Sequence, residues 1–226
     1  MIAHLTYKTV SDNPVIIVPG SKSESNRLLI LKGIFPNLLI DNLSNSDDTI
    51  SLLKGIEEID GIVDVHHAGT AMRFLTAYFA SKKGVDIIIT GSKRMQERPI
   101  RILVEALKDL GADIHYLKNK GFPPLKIIGK DLDISSVTLN AAISSQYISA
   151  LMLMAPALKN GLTINLEGEI TSVPYIKMTL NLMQKAGVSG SFNTNRIQIK
   201  PTSTIDSSRL KVESDWSSAS YYYSII

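Results

Sequence analysis

The stretch Pro19-Gly-Ser-Lys-Ser-Glu-Ser-Asn-Arg27 leads directly into an apolar Leu-Leu-Ile-Leu run with helical spacing. Small residues, hydroxyls and two cations therefore stand at the N-terminus of a predicted helix. Free backbone N–H groups and the positive end of the helix dipole make such a terminus a good anion site. We expect Ser23 or Ser25 to cap the helix, with Lys22 and Arg27 directed at one ligand. The alternative is a solvated Gly/Ser turn, and the spacing is not that of a P-loop.

Two further segments have the same design. Ala68-Gly-Thr-Ala-Met-Arg73 and Ile143-Ser-Ser-Gln146 each place small or hydroxyl residues just ahead of an apolar stretch with helical spacing. The first of them also carries an arginine about one turn into its helix. Because the three segments repeat one arrangement, we expect three anion-binding helix ends to share one face. Residues from all three should then line one cleft: Ser23, Gly69, Thr70, Ser144 and Ser145.

A strand-like run and a second helix follow each of these segments. The strand-like runs are 38–40, 85–89 and 162–166, and the second helices are predicted over 47–59, 99–110 and 174–186. The last two of these helices end at Gly111 and Gly187, which suit the position just after a helix. The pattern predicts an α/β fold made of a threefold repeat of a β-α-β-α-β-β unit, with unequal insertions between the copies.

Both ends of the chain fall outside this repeat. Strand-like residues occur over 2–10 and 15–18, and another strand is predicted over 209–213. A helix capped by Ser214 or Asp215 then begins, and the sequence stops within its second turn. A buried helical face cut at that point would have nothing to pack on. We therefore expect a truncated chain, with a short frayed helix as the alternative.

Composition indicates a globular intracellular enzyme. Of the 226 residues, 44% are hydrophobic and 20% are charged, which argues against disorder. The absence of cysteine excludes disulfides, cysteine nucleophiles and Cys-ligated metals, and we expect a cytoplasmic protein. A net charge of +3 without a long basic run favours small anionic ligands over nucleic acid. The longest apolar stretch, 150–158, is too short to span a membrane, and no signal peptide is recognisable.

With these motifs in place, the sequence resembles the 5-enolpyruvylshikimate-3-phosphate synthases (3-phosphoshikimate 1-carboxyvinyltransferases). Seven motifs in the family's order carry the resemblance: Pro19–Arg27, Ser46-Asp-Asp48, Ala68–Arg73, Gly91-Ser-Lys-Arg-Met-Gln-Glu-Arg-Pro99, Ser144-Ser-Gln146, Ser172-Val-Pro-Tyr175 and Asp215-Trp-Ser-Ser-Ala-Ser-Tyr221. The resemblance implies an enolpyruvyl transferase domain, an inside-out α/β barrel of three repeats, over 19–212. Residues 1–18 and 213–226 would be stubs of a second, similar domain. Family members are about twice as long, which agrees with truncation.

The resemblance implies transfer of the enolpyruvyl group of phosphoenolpyruvate to the 5-hydroxyl of shikimate 3-phosphate, with release of phosphate. This is a step of chorismate and aromatic amino acid biosynthesis. It implies no metal and no organic cofactor, two small-molecule partners, no nucleic acid or membrane, and a monomer when full length. Because the family's catalytic carboxylates lie on the other half, we expect this chain alone to be inactive.

Residue roles are also implied by the resemblance. Those for shikimate 3-phosphate binding are Lys22, Ser23, Arg27, Ser144, Ser145, Gln146, Ser172 and Tyr175. Those for phosphoenolpyruvate binding are Lys22, Gly69, Thr70, Arg73, Arg94 and Gln146. Lys22 would lie between the two substrates as the catalytic proton carrier of this half. Arg27 would belong to a wet site, paired with a carboxylate or an anion, so that its loss would change fold stability little.

Several of these side chains also have purely structural interpretations. Arg94 and Arg98 could be solvated loop arginines, Tyr175 could pack on the core, and Ser172 could only cap a helix. The pair formed by Asp47 and Asp48 more simply caps a helix and complements its dipole than acts in catalysis.

A metal interpretation of His66 and His67 is rejected, because neighbouring side chains of an extended segment point to opposite faces. The sequence departs from the family where His67 replaces an Asn and Phe74 replaces a Pro. Both positions flank the phosphoenolpyruvate loop, where the family's inhibitor glyphosate also binds, and Gly69 is retained.

Two rival functions remain open at this point. A UDP-N-acetylglucosamine enolpyruvyl transferase would share the fold, although the opening motif differs and no cysteine serves its mobile loop. The other rival is a non-catalytic half-module that binds a phosphorylated metabolite.

Overall fold

The computed structural model describes residues 15–142, 144–171 and 173–224. The first part of the chain contains α1 (Lys22–Ile34), β1 (Leu39–Asp41) and α2 (Asp47–Ile56). The second contains β2 (Asp60–Asp64), α3 (Gly69–Ala80), β3 (Asp86–Thr90), the short α4 (Lys93–Gln96), α5 (Arg101–Asp109), β4 (Asp113–Tyr116) and β5 (Leu125–Ile128).

The third contains β6 (Ser136–Asn140), α6 (Ser145–Met154), a 3-10 turn (Ala155–Ala157), β7 (Leu162–Glu167), α7 (Val173–Lys185), β8 (Gly190–Asn193) and β9 (Arg196–Ile199). Two elements, β10 (Arg209–Lys211) and α8 (Trp216–Tyr223), end the chain.

Two of the three predicted units are complete in the described residues. The sheets β2-β3-β5-β4 and β6-β7-β9-β8 have the same order, with a parallel first pair and antiparallel strands after it. The first unit has only α1, β1 and α2, so the prediction of three full copies was wrong for it. Its β1 pairs in parallel with β10 from the far end of the chain. The position of a first strand is therefore filled from outside the unit.

The helices form the interior and the sheets form the outside. Helices α1, α3 and α6 contact one another and have buried side chains on all sides, which are mostly apolar in α3 and α6 and include Ser25, Asn26 and Arg27 in α1. In contrast, β6 and β7 alternate buried with more exposed residues, so one face of the sheet covers helices and the other faces solvent. This arrangement leaves the N-terminal ends of the inner helices free to meet at one place.

Local signals in the sequence explain the helix ends with some corrections. Gly111 and Gly187 have φ angles of +101° and +96°, as their position after a helix requires. The cap of α1 is Ser21, whose hydroxyl accepts from the Glu24 N–H, and not Ser23 or Ser25. Ser25 is buried and accepts from the Ser44 N–H instead.

The predictions for the two ends of the chain are confirmed in part. Asp215 caps α8 by accepting from two backbone N–H groups, as expected. Residues 15–18 are exposed or half-buried and form no strand, which corrects the prediction for that run, and residues 2–10 lie outside the described residues. None of the described helices has the length and apolarity needed to cross a membrane.

The two segments predicted to border the domain lie side by side. Gly20 and Ser214 form an antiparallel bridge, Ser21 donates its N–H to the Glu213 carbonyl, and Asp215 donates to the Pro19 carbonyl. The backbone at Gly20 lies against the Asn42 carbonyl so closely that a Cβ atom would overlap that oxygen. The start of α1 is therefore fixed between β1 and the segment that leads into α8.

Candidate anion-binding site

A cleft of about 280 Å³ opens where the N-terminal ends of the inner helices meet. Its walls contain residues from α1, α3, α6 and α7: Lys22, Ser23, Arg27, Thr70, Ser144, Ser145, Gln146 and Tyr175. Residues that are more than 140 positions apart in sequence thus converge on one volume, as the shared design of the segments predicts. Gly69 adjoins the cleft through Thr70 and is not among its lining residues.

Arg27 forms the buried floor of this cleft. Its side chain is only 3% exposed, and its guanidinium donates from Nε to Thr179 Oγ1 at 2.7 Å, from Nη2 to Ser149 Oγ at 3.1 Å and from Nη1 to the Ser23 carbonyl at 2.9 Å. The expectation that Arg27 belongs to a wet site rather than to the core was wrong. One helical turn below the surface, the side chain is enclosed by α6 and α7.

No carboxylate forms an ion pair with Arg27 among the described residues. The guanidinium lies over the rings of Phe74 and Tyr175, with its central carbon 5.5 Å and 5.9 Å from the ring centroids. Desolvation lowers the pKa of Arg27 to about 10, well below the ordinary value for arginine, and the charges of Tyr175 and Glu24 offset this only in part. A buried cation with neutral partners is the environment in which a bound anion is most strongly stabilised.

The first turn of α6 supplies hydroxyls and an amide to the same cleft. Ser144 caps α6 by accepting from the Gln146 N–H at 3.3 Å, and the apolar residues that follow are fully buried. The remaining free N–H groups of this helix end point towards the cap, as at any helix N-terminus. Ser145 and Gln146 are half-buried beside it.

Lys22 lies where two clefts adjoin. It is exposed at the start of α1 and lines both the 280 Å³ cleft and a neighbouring cleft of about 410 Å³. The second cleft is bordered by the first turn of α8 and by three acids, Glu24, Glu213 and Asp215. A mobile ammonium group at this junction can reach ligands on either side.

The N-terminus of α3 is already partly satisfied by protein groups. Thr70 donates its N–H to Asp48 Oδ1 at 3.2 Å, and the Arg98 guanidinium lies so close to Gly69 that a Cβ atom there would overlap it. Arg73 is 4% exposed and donates to the Gly69 carbonyl at 3.0 Å and the Pro99 carbonyl at 3.3 Å. Burial and the neighbouring charge of Arg98 lower the pKa of Arg73.

Of the remaining sequence-predicted residues that the structure describes, Arg73 and Arg94 do not line the cleft. Arg94 is exposed on α4 and is not among the residues that line the cleft. Ser172 lies outside the described residues. Their implied ligand contacts, and that of the buried Arg73, stay predictions.

The histidine pair has a different geometry from the one expected. His66 has a φ of +49° and is in a turn, so the two rings do not point to opposite faces. Their Nδ1 atoms are 2.6 Å apart, and His67 Nε2 is 3.3 Å from Asp47 Oδ2. A positive φ at a non-glycine residue was not signalled by the sequence, and the stereochemical reason given for separating the rings was wrong.

Sequence reasoning missed Ser149, Thr179 and the role of Phe74. Ser149 and Thr179 are fully buried in helices. A single Ser or Thr among the residues of a helix does not stand out in the sequence as functional. A usable signal does exist: Ser149 follows Ser145 by four residues and Thr179 follows Tyr175 by four. That spacing places each hydroxyl one turn beneath a cleft residue on the same helix face.

Comparison with known proteins identifies one family. A family model described as EPSP synthase (3-phosphoshikimate 1-carboxyvinyltransferase) matches residues 56–225. The chain is 49% identical over 211 residues to a 3-phosphoshikimate 1-carboxyvinyltransferase of Bacteroides fragilis strain YCH46, covering 93% of this chain and 51% of that protein. It is 38% identical over 242 residues to the one from Colwellia psychrerythraea, covering 93% and 56%. The chain therefore spans about half the length of the curated relatives it matches.

Solved structures agree at the level of the fold. EPSP synthase from Acinetobacter baumannii superposes with a TM-score of 0.77 at 21% identity, over 92% of this chain and 52% of that structure. Fold, motifs and sequence identity thus lead to one conclusion: the chain belongs to the EPSP synthase (3-phosphoshikimate 1-carboxyvinyltransferase) family.

Proposed function

We propose that this chain is the half of a 3-phosphoshikimate 1-carboxyvinyltransferase that holds shikimate 3-phosphate. The observation that carries the proposal is the cleft over Arg27, where a buried cation without a carboxylate partner meets hydroxyls from α1 and α6. Hydroxyls, free helix N–H groups and a guanidinium together suit a phosphate monoester. A 3-phosphoshikimate 1-carboxyvinyltransferase of Bacteroides fragilis is 49% identical over most of the chain, which supports the same activity for the whole protein.

In this proposal, the phosphate of shikimate 3-phosphate is bound by Ser144 and Ser145, with Ser172 beside them. Lys22, Ser23, Arg27 and Gln146 complete that site, and Tyr175 packs against the ring. Phosphoenolpyruvate lies next to it, near Gly69 and Thr70, within reach of Lys22, Arg94 and Gln146, with Arg73 supporting the loop from behind.

The reaction first moves two protons: the enol methylene of phosphoenolpyruvate gains one and becomes a methyl group, and the 5-hydroxyl of shikimate 3-phosphate loses one as its oxygen bonds to the enol carbon. The methyl group then gives up a proton as the C–O bond to phosphate breaks, which restores the enol double bond and releases phosphate. Lys22 at the junction of the two clefts is the proton carrier that this half supplies. Holding two anions together is the larger task, and the cations and helix ends perform it.

The proposal includes the wider organisation that the family resemblance implies. Residues 19–212 form one domain, and 1–18 and 213–226 belong to a second. The antiparallel contact of residues 19–21 with 213–215 supports a double crossing at that point. The full-length protein is then a cytoplasmic monomer that uses two small-molecule substrates.

Calorimetric titration of the purified chain tests this function. We expect weak binding of shikimate 3-phosphate, tighter than that of inorganic phosphate, and little binding of phosphoenolpyruvate. Lys22→Ala should weaken binding about tenfold or more, since a charge-assisted contact contributes about 1.5–3 kcal/mol. Lys54→Ala, an exposed lysine on α2, is the matched control and should bind as the parent does. Phosphoenolpyruvate or UDP-N-acetylglucosamine as the tighter ligand would contradict the assignment.

A further inference from the structure

A second layer of polar residues lies one helical turn beneath the cleft. Three helices each carry a cleft residue and, four positions later, a buried polar residue: Ser23 and Arg27 on α1, Ser145 and Ser149 on α6, and Tyr175 and Thr179 on α7. Side chains at this spacing lie on one face of a helix. The three deeper residues meet one another, although they come from separate parts of the chain.

The hydrogen bonds in this layer have a fixed direction. Thr179 Oγ1 donates to the Tyr175 carbonyl at 2.8 Å, so its lone pairs accept from Arg27 Nε and from Ser149 Oγ, which is 2.9 Å away. Ser149 Oγ accepts in turn from Arg27 Nη2 at 3.1 Å. Each hydroxyl thereby donates its single proton, and each hydroxyl oxygen accepts from Arg27 through a lone pair. The set accepts from Arg27 without any group of opposite charge.

We propose that Ser149 and Thr179 are positioning residues that hold the Arg27 guanidinium at the floor of the cleft while leaving its charge for a phosphate group. This rests on the proposed function only in that the cleft binds a phosphate monoester. A carboxylate at either position would hold the arginine more strongly and would cancel the charge that the ligand needs. Hydroxyls fix the side chain and leave the charge uncancelled.

The chemistry of the guanidinium agrees with this division of work. Contacts with the described residues account for three of the five N–H groups that a guanidinium carries. The Nε and Nη2 contacts fix the plane of the group between α6 and α7. A lysine at the same position could not be held in this way, because its ammonium lacks the planar fork.

Thr179→Val and Ser149→Ala test the proposal, with inorganic phosphate and shikimate 3-phosphate as separate probes. Each variant should weaken phosphate binding about five- to twentyfold, less than the loss of Arg27 itself, because the charge remains but is no longer oriented. Thr179→Ser keeps the hydroxyl and should restore binding. The Arg27 Nε–H resonance should shift and exchange faster with solvent in Thr179→Val.

The matched control is Thr76→Val in α3. Thr76 is equally buried and makes the same type of bond, from its hydroxyl to the Met72 carbonyl one turn earlier at 2.7 Å, away from Arg27. In urea unfolding, Thr76→Val should lose about as much free energy of unfolding as Thr179→Val does. It should bind phosphate as the parent chain does. Ser149→Ala, the smaller change, decides the question if Thr179→Val does not fold.

Normal phosphate binding by folded Thr179→Val and Ser149→Ala would overturn the inference, as would equal weakening by Thr76→Val. Weakened phosphate binding in a chain that shows no preference for shikimate 3-phosphate would instead contradict the proposed function and leave the positioning role intact.

Discussion

Arg27 illustrates how a single residue can be costly for the fold and useful for binding. Burial lowers its pKa to about 10, so the folded protein holds this proton less tightly than the unfolded chain does. The resulting loss of stability is present in full below a pH of about 10 and is relieved as the pH rises from there towards the ordinary pKa of arginine. At neutral pH the charge therefore destabilises the fold unless an anion lies next to it.

A comparison of Arg27→Met with Arg27→Ala separates the two effects. Methionine removes the cost of burying the charge and retains most of the volume, which offsets the three hydrogen bonds that are lost, so the free energy of unfolding in urea should change by less than about 1 kcal/mol. Alanine leaves a cavity and should cost about 2–5 kcal/mol. Both variants should lose shikimate 3-phosphate affinity about ten- to a hundredfold. Normal binding by folded Arg27→Met, in calorimetry, would contradict this account.

Asp48 provides a second prediction at the level of one residue. Its carboxylate accepts from the Thr70 N–H at the end of α3, where a ligand anion would otherwise be favoured. Asp48→Asn keeps an acceptor oxygen and removes the charge, so phosphate should bind there a few times more tightly. Stability should fall by about 0.3–1 kcal/mol with the loss of a favourable helix-dipole contact.

The measurement is the shift of the Thr70 backbone amide during a phosphate titration. Asp47→Asn is the control, since Asp47 is in the same first turn but is exposed and lies near His67. Weaker phosphate binding in Asp48→Asn, or an equal gain in Asp47→Asn, would show that Asp48 does not compete with the anion.

How much of the site was predictable depended on depth. Residues in the first helical turn could be placed in one cleft from sequence, because hydroxyls ahead of an apolar helix have few other uses. Residues in the second helical turn could not be placed from sequence, because the surroundings of Arg27 depend on how α6 and α7 pack against α1. That packing brings together residues up to 152 positions apart, and no local pattern encodes it.

At the level of helices and strands, the repeated pattern predicted the order of elements in the second and third units. It gave no sign that the first unit differs from them. Periodicity located the long helices of the second and third units and one strand in each, β3 and β7, and glycines marked two helix ends correctly. The first unit fails because β10, the partner of β1, comes from 170 residues further along. Each of these two strands has three residues, which is too few for a sequence pattern to reveal the pairing.

A substitution at Gly20 tests the contact between the start of α1 and the end of β1. A Cβ atom there would overlap the Asn42 carbonyl oxygen, which belongs to the backbone and cannot rotate away. Gly20→Ala should therefore separate the start of α1 from β1 and cost about 2–3 kcal/mol or more. Gly33→Ala is the control, because its Cβ would meet the Ile56 side chain and the Tyr78 hydroxyl, which are side-chain atoms that can move.

Urea unfolding of the two variants decides between these outcomes. A Gly20→Ala protein as stable as Gly33→Ala would mean that the contact between the predicted domain borders is loose. In a folded Gly20→Ala protein we also expect weaker phosphate binding, because Ser21, Lys22 and Ser23 follow directly.

For the whole molecule, the distribution of acids suggests what this chain can and cannot do. No Asp or Glu is among the described residues that line the cleft over Arg27. In the neighbouring cleft, the Glu24 carboxylate accepts from the Glu213 N–H at 3.0 Å, and Asp215 accepts from the Ser217 N–H at 2.9 Å. The Glu24 and Asp215 carboxylates are therefore engaged by backbone groups, which leaves them poorly placed to remove a proton from a bound hydroxyl.

The chain alone should therefore bind its ligand and fail to turn it over. With shikimate 3-phosphate and phosphoenolpyruvate both present, phosphate release by the 226-residue chain should equal that of Lys22→Ala. Lys22 can carry one proton, and enolpyruvyl transfer requires one to be delivered and another removed. Phosphate release well above the Lys22→Ala control would show that this half holds a complete set of catalytic groups. The same assay with added shikimate 3-phosphate alone controls for contaminating phosphatase, which would release phosphate without phosphoenolpyruvate.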